Sequence, residues 1–464
     1  MKESDMAIAR FVILGATGDL TSRHLLPALA RLHQAGKLPE DVKITGSALE
    51  DWRTEDFRRH ALGHLRGSGA EIPTTSVGTV VSRLEYRRAD AGDANQIAAL
   101  LDASEGPALF YLALPSTVSS RVLRTIAETG LPEGSRIVVE KPFGENLSSA
   151  QELNRLLHEA LPETSVYRMD HFLGKQTVQN ILGVRFANRV FESLWCADHI
   201  ESVQIVWDET RTAESRSVYY DSTGALKDMV QNHLLQLLAL IAMEAPRALT
   251  DRDLRDRKVE LLRAVRRLTP EDVRSGTRRG RYGAGRVAAR SVPAYVEEKG
   301  VDPHRGTETF AQVTLRVENA RWADVPFLLR TGKALSRARR EIAIRFRRPG
   351  HRLFDGGKAP EGSLLRLHLD PDRMSLGINI NGPGDPFVLE RIELDHDLAP
   401  QELPAYARLL LDALEGDPTF SIRGDEAEES WRIVEPIIDA WENWHVPLVE
   451  YPAGSDGPMS GNVP

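Results

Sequence analysis

A single cysteine, Cys196, serves 464 residues, so neither an internal disulfide nor a cysteine-rich metal site can form. The cytoplasm is the expected compartment, and no metal is expected. Basic residues are in the minority as well: 59 Lys and Arg face 67 Asp and Glu, a net charge of −8. That field repels polyanions, and nucleic acid is not an expected partner. Long apolar runs are missing too. The stretch Leu234 to Met243 contains Gln236 and falls well short of the ~20 residues a membrane-spanning helix needs, so no membrane partner is expected. The opening segment Met1 to Arg10 carries four charges before the brief run Phe11 to Leu14, which is too short for a signal-peptide core. H-E-x-x-H, paired C-x-x-C, P-loop and G-x-S-x-G motifs are all absent. Metalloprotease, zinc-finger, P-loop NTPase and serine-hydrolase readings therefore have no motif behind them.

What is present is a globular composition, 41% apolar and 27% charged, with a mean hydropathy of −0.32. At roughly 100–200 residues per domain the length predicts two domains. Phe11 to Gly36 reads as strand, glycine turn (Gly15 to Leu20) and helix, with Leu25, Leu29 and Leu32 at helical spacing. Pro27 inside that helix predicts a kink or a late start. A strand over Val42 to Thr45 completes a βαβ unit whose helix N-terminus can take a phosphate. Further strands are predicted at 86–88, 108–114 and 136–140, separated by helices. The first domain, 1–172, is thus an α/β, Rossmann-like, doubly wound parallel sheet for dinucleotide binding. Beyond it strands follow strands at 200–206, 309–317, 342–346, 365–369 and 376–380, around a helical block at 226–262. This predicts an α+β C-terminal domain, 173–464, with a large, mainly antiparallel sheet, ending in an irregular tail from Pro452. The basic stretches 278–290 and 337–340 read as solvated faces.

Several segments carry polar chemistry, and each alone also has a plainer explanation. Gly15-Ala16-Thr17-Gly18 keeps part of the dinucleotide fingerprint, with Thr17 and Leu20 where its second and third glycines would stand; a glycine-rich turn without a nucleotide reads the same way. Lys141, in Glu140-Lys141-Pro142-Phe143-Gly144, emerges at the carboxyl edge of the sheet, where it can hold hydroxyls or phosphates, or it simply precedes a helix-starting proline. In Arg168 to Lys175, Asp170 sits beside His171 and Lys175 follows four residues later. A helical turn there puts His171 and Lys175 within reach of one anion, although a solvated helix start is the plainer reading. His233, in Lys227 to Gln236, offers a general base, or a satisfied core histidine on a mostly apolar helix. Lys333 after Gly332 is by itself only a turn.

In combination these segments are specific. GATGDL, EKPFG, RMDHFLGKQTVQNILGVRFAN, YYDSTGALKDMVQNHLLQ, RGRYGAG, RWADVPFLLRTGK, LLLDALEGDPTF and YPAGS, in this order, resemble the glucose-6-phosphate dehydrogenase family nearly end to end. The resemblance implies oxidation of the C1 hydroxyl of glucose 6-phosphate to 6-phosphogluconolactone, the first step of the oxidative pentose phosphate pathway, with hydride passing to NADP. By the same resemblance His233 is the general base and Asp170 the carboxylate that orients it. His171 and Lys175 fall on phosphate ligands, and Lys141, Glu209, Asp228 and Lys333 on positions that contact the sugar. Gly15, Thr17, Gly18, Asp19, Leu20, Ser47 and Lys141 fall on the cofactor side. A homodimer or homotetramer built through the second domain's sheet is also implied.

Three departures from the family pattern matter. Gly46-Ser47-Ala48-Leu49-Glu50 carries Leu49 where an arginine usually pairs with the 2′-phosphate of NADP. Glu50 is placed to accept from a free 2′-hydroxyl, so weakened NADP preference and use of NAD are expected. Phe172 replaces a frequent tyrosine, removing one hydroxyl from the phosphate, and Ala338 stands where a basic residue is common, flanked by Arg337 and Arg339. These departures keep open a same-family dehydrogenase for another phosphosugar or for NAD, and a non-catalytic regulatory paralogue, against which retention of His233 and Asp170 speaks. A glucose-fructose oxidoreductase type carries a fuller G-x-G-x-x-G and lacks the D-H-x-L-G-K and Q-N-H segments.

Overall fold

The computed structural model describes residues 8–67, 71–102, 106–351, 353–354, 360–385 and 387–458. Most of the charged opening and the end of the tail lie outside them. The chain forms two compact units. The first comprises Met1–Lys175, Pro246–Asp256 and Gln401–Glu428, and the second Gln176–Ala245, Arg257–Pro400 and Glu429–Pro464. A single cut at 172 divides the sequence more simply than these discontinuous units do.

The first unit is built on six parallel strands: β1 (Arg10–Leu14), β2 (Lys43–Ala48), β3 (Leu84–Arg88), β4 (Ala108–Leu112), β5 (Arg136–Glu140) and β6 (Val166–Met169). Their order is β3-β2-β1-β4-β5-β6, the doubly wound arrangement expected from the sequence. Every residue of β1 and β4 is buried, which is why they read as unbroken apolar runs rather than alternating ones. Phe11 and Ile13 of β1 pack with Leu25, Leu26, Leu29 and Phe57 in one core, which Leu410 and Leu411 of the helix Ala405–Glu415 extend. The helix after β1 does not start late. Helical backbone runs from Asp19, a wide π turn covers Thr21–Leu25, and α-helix resumes at Leu26, so Pro27 falls directly after the π turn, where the change of hydrogen-bond register accommodates its missing N–H.

The second unit holds β7 (Ile200–Asp208), β8 (Thr277–Gly283), a small hairpin β9 (Gly285–Val287) and β10 (Arg290–Val292), then β11 (Phe310–Leu315), β12 (Phe327–Gly332), β13 (Arg339–Phe346), β14 (Leu364–Leu369), β15 (Asp372–Asn381), β16 (Leu389–Asp397) and β17 (Leu448–Pro452). Nine of them form one sheet, β16-β15-β14-β13-β7-β12-β11-β8-β17. Among its described pairs all are antiparallel except β7 with β12 and β8 with β17. The helical block read across 226–262 is two pieces, Leu226–Ala242 and Asp251–Ala264, parted near Pro246. Nor are the basic stretches simple solvated faces: Arg279 is only 4% exposed, and its guanidinium lies 4.8 Å from the Trp444 ring centroid.

Gly46 in β2 shows how tightly the first unit is packed. A Cβ there would lie 2.6 Å from the Phe57 ring and 2.8 Å from the Ala16 methyl. Gly46→Ala is expected to destabilise the protein by about 1–3 kcal/mol, the usual cost of overpacking, read as a lowered thermal midpoint.

Candidate active site

The turn after β1 is closed by its own backbone. Gly15 has φ +88°, and a Cβ there would come 2.2 Å from the carbonyl oxygen of Ala113, so the fold itself demands glycine. Gly15 and Ala16 donate their N–H groups to the Ser47 carbonyl at 2.9 and 3.1 Å, and the Thr21 hydroxyl donates to the Gly15 carbonyl at 3.0 Å. Ser47 thus braces the turn through its main chain while its side chain is buried. Gly18 and Asp19 stand at the surface at the start of the helix, with Leu20 half-buried beside them. A glycine turn on the carboxyl edge of a parallel sheet, running into a helix N-terminus, fits a dinucleotide pyrophosphate. At the exit of β2, Leu49 is 62% exposed, and the Glu50 carboxylate accepts a 3.0 Å bond from the Thr17 hydroxyl.

Lys141 follows β5 and Asp170 follows β6, at the same edge of the sheet. Asp170, 0% exposed, caps the single turn His171–Gly174 by accepting the Phe172 N–H at 2.9 Å. The helical run imagined over 168–175 is therefore β6, this one turn and Lys175, whose ammonium lies 5.9 Å from the centroid of the buried Phe172 ring. Glu140, beside Lys141, was not singled out from sequence. Its carboxyl is pushed up to about 7 by burial, aided by the charge of Asp170, against the opposing pull of the Tyr111 hydroxyl bond and of Lys141.

In the second unit His233 and Asp228 lie on one buried helix, at 1% and 6% exposure. Its first part, Leu226–Leu234, is a π turn rather than α-helix. Residues five apart stand roughly 140° apart around an α-helix, whereas i→i+5 bonding brings them back close to one face. The π register therefore turns Asp228 and His233 toward the same side. Asp228 accepts from the Tyr219 hydroxyl at 3.4 Å, and the His233 N–H donates to Asn232 Oδ1 at 2.7 Å.

Glu209 and Lys333 follow the neighbouring ends of β7 and β12 and pair at 2.7 Å. Lys333 also lies 5.0 Å from the Tyr220 ring centroid. Of the arginines after Ala338, Arg339 faces Asp208 at 3.7 Å and Arg340 comes within 4.0 Å of Glu209. Arg340 was not picked out as a single residue; a cation on β13 opposite β7 is visible only once the strands are paired.

The first unit therefore gathers the turn residues with Lys141, Asp170, His171 and Lys175, and the second gathers Glu209, Asp228, His233 and Lys333. A dinucleotide-type domain and a mixed-sheet domain carrying these residues define an oxidoreductase. Family profiles for the "Glucose-6-phosphate dehydrogenase, NAD binding domain" and "Glucose-6-phosphate dehydrogenase, C-terminal domain" match residues 12–180 and 182–463. The chain belongs to the glucose-6-phosphate dehydrogenase family. A glucose-6-phosphate 1-dehydrogenase of Treponema pallidum is 40% identical across 97% of this chain and 92% of that relative. The crystal structure of glucose-6-phosphate 1-dehydrogenase from Mycobacterium avium superposes with a TM-score of 0.86 at 34% identity, over 97% of this chain and 95% of that one. A structure described as glucose-6-phosphate dehydrogenase in complex with its substrate glucose-6-phosphate gives 0.87 at 32% identity, over 97% and 96%.

The raised Glu140 carboxyl has a stability consequence. Between its ordinary value of 4.5 and about 7 the folded chain keeps a proton that the unfolded chain has lost, so Glu140 withdraws stability as pH rises through that window. Glu140→Gln removes that loss. The thermal midpoint of the variant relative to wild type is expected to be higher at about pH 8 than at about pH 5.

Proposed function

We propose that this protein oxidises the C1 hydroxyl of D-glucose 6-phosphate to 6-phosphogluconolactone, the first step of the oxidative pentose phosphate pathway. The observation that carries this reading is the likeness, over 97% of the chain, to a dehydrogenase described with that substrate bound, together with retention of the family's polar residues. A bound nicotinamide dinucleotide supplies the hydride acceptor. His233 takes the C1 hydroxyl proton, and Asp170 is the carboxylate that orients and stabilises the resulting imidazolium. His171 and Lys175 hold the phosphate; Lys141, Glu209, Asp228 and Lys333 hold the sugar hydroxyls.

Cofactor choice follows from Glu50. A carboxylate fixed by the Thr17 hydroxyl beside an exposed Leu49 offers an acceptor to a free 2′-hydroxyl and repels a 2′-phosphate. We therefore assign this chain weakened NADP preference, with NAD as a working cofactor. No helix among the described residues is long and apolar enough to cross a membrane, which fits a cytoplasmic enzyme. Exposed Ile380 and Leu394 on β15 and β16 support association through the large sheet, as a homodimer or homotetramer.

Reduced-nicotinamide absorbance tests the assignment. With glucose 6-phosphate and either NADP or NAD the wild type is expected to turn over, and His233→Asn to lose about 10²–10⁴-fold in kcat. No turnover by folded wild type with either cofactor overturns the activity. For cofactor choice, Glu50→Gln is expected to raise the ratio of kcat/KM for NADP over NAD about tenfold. A strong wild-type preference for NADP, unchanged in the variant, refutes the role given to Glu50.

A further inference from the structure

The turn that carries His171 closes on its own hydrogen bonds and is also packed against a distant helix. A Cβ on Gly174 would lie 2.4 Å from the carbonyl oxygen of Ala405, so this turn and the start of helix Ala405–Glu415 approach as closely as backbones can. Gln401 donates its side-chain amide to the Gly174 carbonyl at 2.8 Å. Tyr406 then lays its ring against His171, with centroids 5.5 Å apart and planes 10° from parallel. The same ring stacks with His24, at 4.6 Å and 19°, on the π turn that follows the glycine turn. Buried Leu403, Ala407 and Leu410 anchor this segment in the first unit's core, so Tyr406 is a rigid backing.

We propose that Tyr406 is a positioning residue for the phosphate end of the substrate: its ring fixes the His171 imidazole that binds the phosphate. The proposal rests on the sugar-phosphate dehydrogenase reading above. A parallel aromatic face restrains the imidazole plane and so fixes the directions of its ring nitrogens. Tyr406 itself contributes shape and not its hydroxyl.

Three proteins test this: wild type, Tyr406→Leu and Tyr406→Phe. The leucine variant is expected to show KM for glucose 6-phosphate raised about tenfold, with kcat changed less than about threefold, the pattern of weakened ground-state binding. The competitive inhibition constant of inorganic phosphate is expected to rise by the same factor. The phenylalanine variant keeps the ring and restores both. A folded leucine variant with unchanged KM overturns the proposal, as does a fall in kcat at constant KM. Failure of phenylalanine to restore binding does so too, because it assigns the effect to the hydroxyl. The underlying activity fails separately: wild type without turnover sinks the dehydrogenase reading. Calorimetric binding of inorganic phosphate by the same three proteins then still reports whether the ring supports an anion site at His171.

Discussion

The space missing at Gly15 is the constraint on which the first unit depends. Its Cα faces the Ala113 carbonyl so closely that no side chain fits, and the surrounding amides close on the same point. Ala113 donates to the Leu14 carbonyl at 2.9 Å, while Gly15 and Ala16 donate to Ser47. The carboxyl ends of β1, β2 and β4 are thereby locked together at the place where an open α/β sheet forms its ligand crevice. Thr17 and Glu50 meet because the two strands that deliver them are held in this register. The same argument makes the glycine turn weak evidence for a nucleotide, since backbone packing alone explains Gly15. The proposal of NAD use rests instead on Thr17 and Glu50.

How much of this the sequence discloses depends on where each buried polar group finds its partner. β1, β4 and β5 are legible because burial on both faces leaves an apolar run. β6 is not, because Arg168 interrupts it. That arginine is 0% exposed and bonds Glu163 at 2.7 Å, Asn154 at 2.8 Å and the Ile422 carbonyl at 3.4 Å. Glu163, five residues back, makes the buried charge tolerable, and the bonds to Asn154 and Ile422 complete its surroundings from segments that no local pattern announces. β8, with its buried Arg279, is hidden for the same reason, and β16 because none of its residues is buried and no apolar face marks it, whereas β7, β11 and β13 alternate legibly. The helix with Asp228 and His233 was legible as a helix, but not its π register: apolar periodicity does not record which carbonyl each N–H takes. Tyr406 has no motif at all, and only the docking of helix 405–415 on the 171–174 turn brings it to His171.

The end of β7 shows how the second unit divides two adjacent carboxylates between structure and chemistry. Asp208 closes the strand and Glu209 follows it, and the two carboxylates find different partners. Asp208 is buried, which pushes its carboxyl up, and Arg330 at 3.1 Å, with Arg339 at 3.7 Å, oppose that shift. It is held as a fixed ion cluster within the sheet. Glu209 faces Lys333 instead, in a pair without net charge whose ammonium also rests near the Tyr220 ring. A neutral pair offers a carboxylate acceptor and an ammonium donor side by side, and a ligand hydroxyl can use both without burying a new charge. A dianion gains little from it, because the ammonium is already balanced. In the function proposed, the phosphate is therefore assigned to His171 and Lys175 of the first unit, and the Glu209–Lys333 pair of the second to hydroxyls.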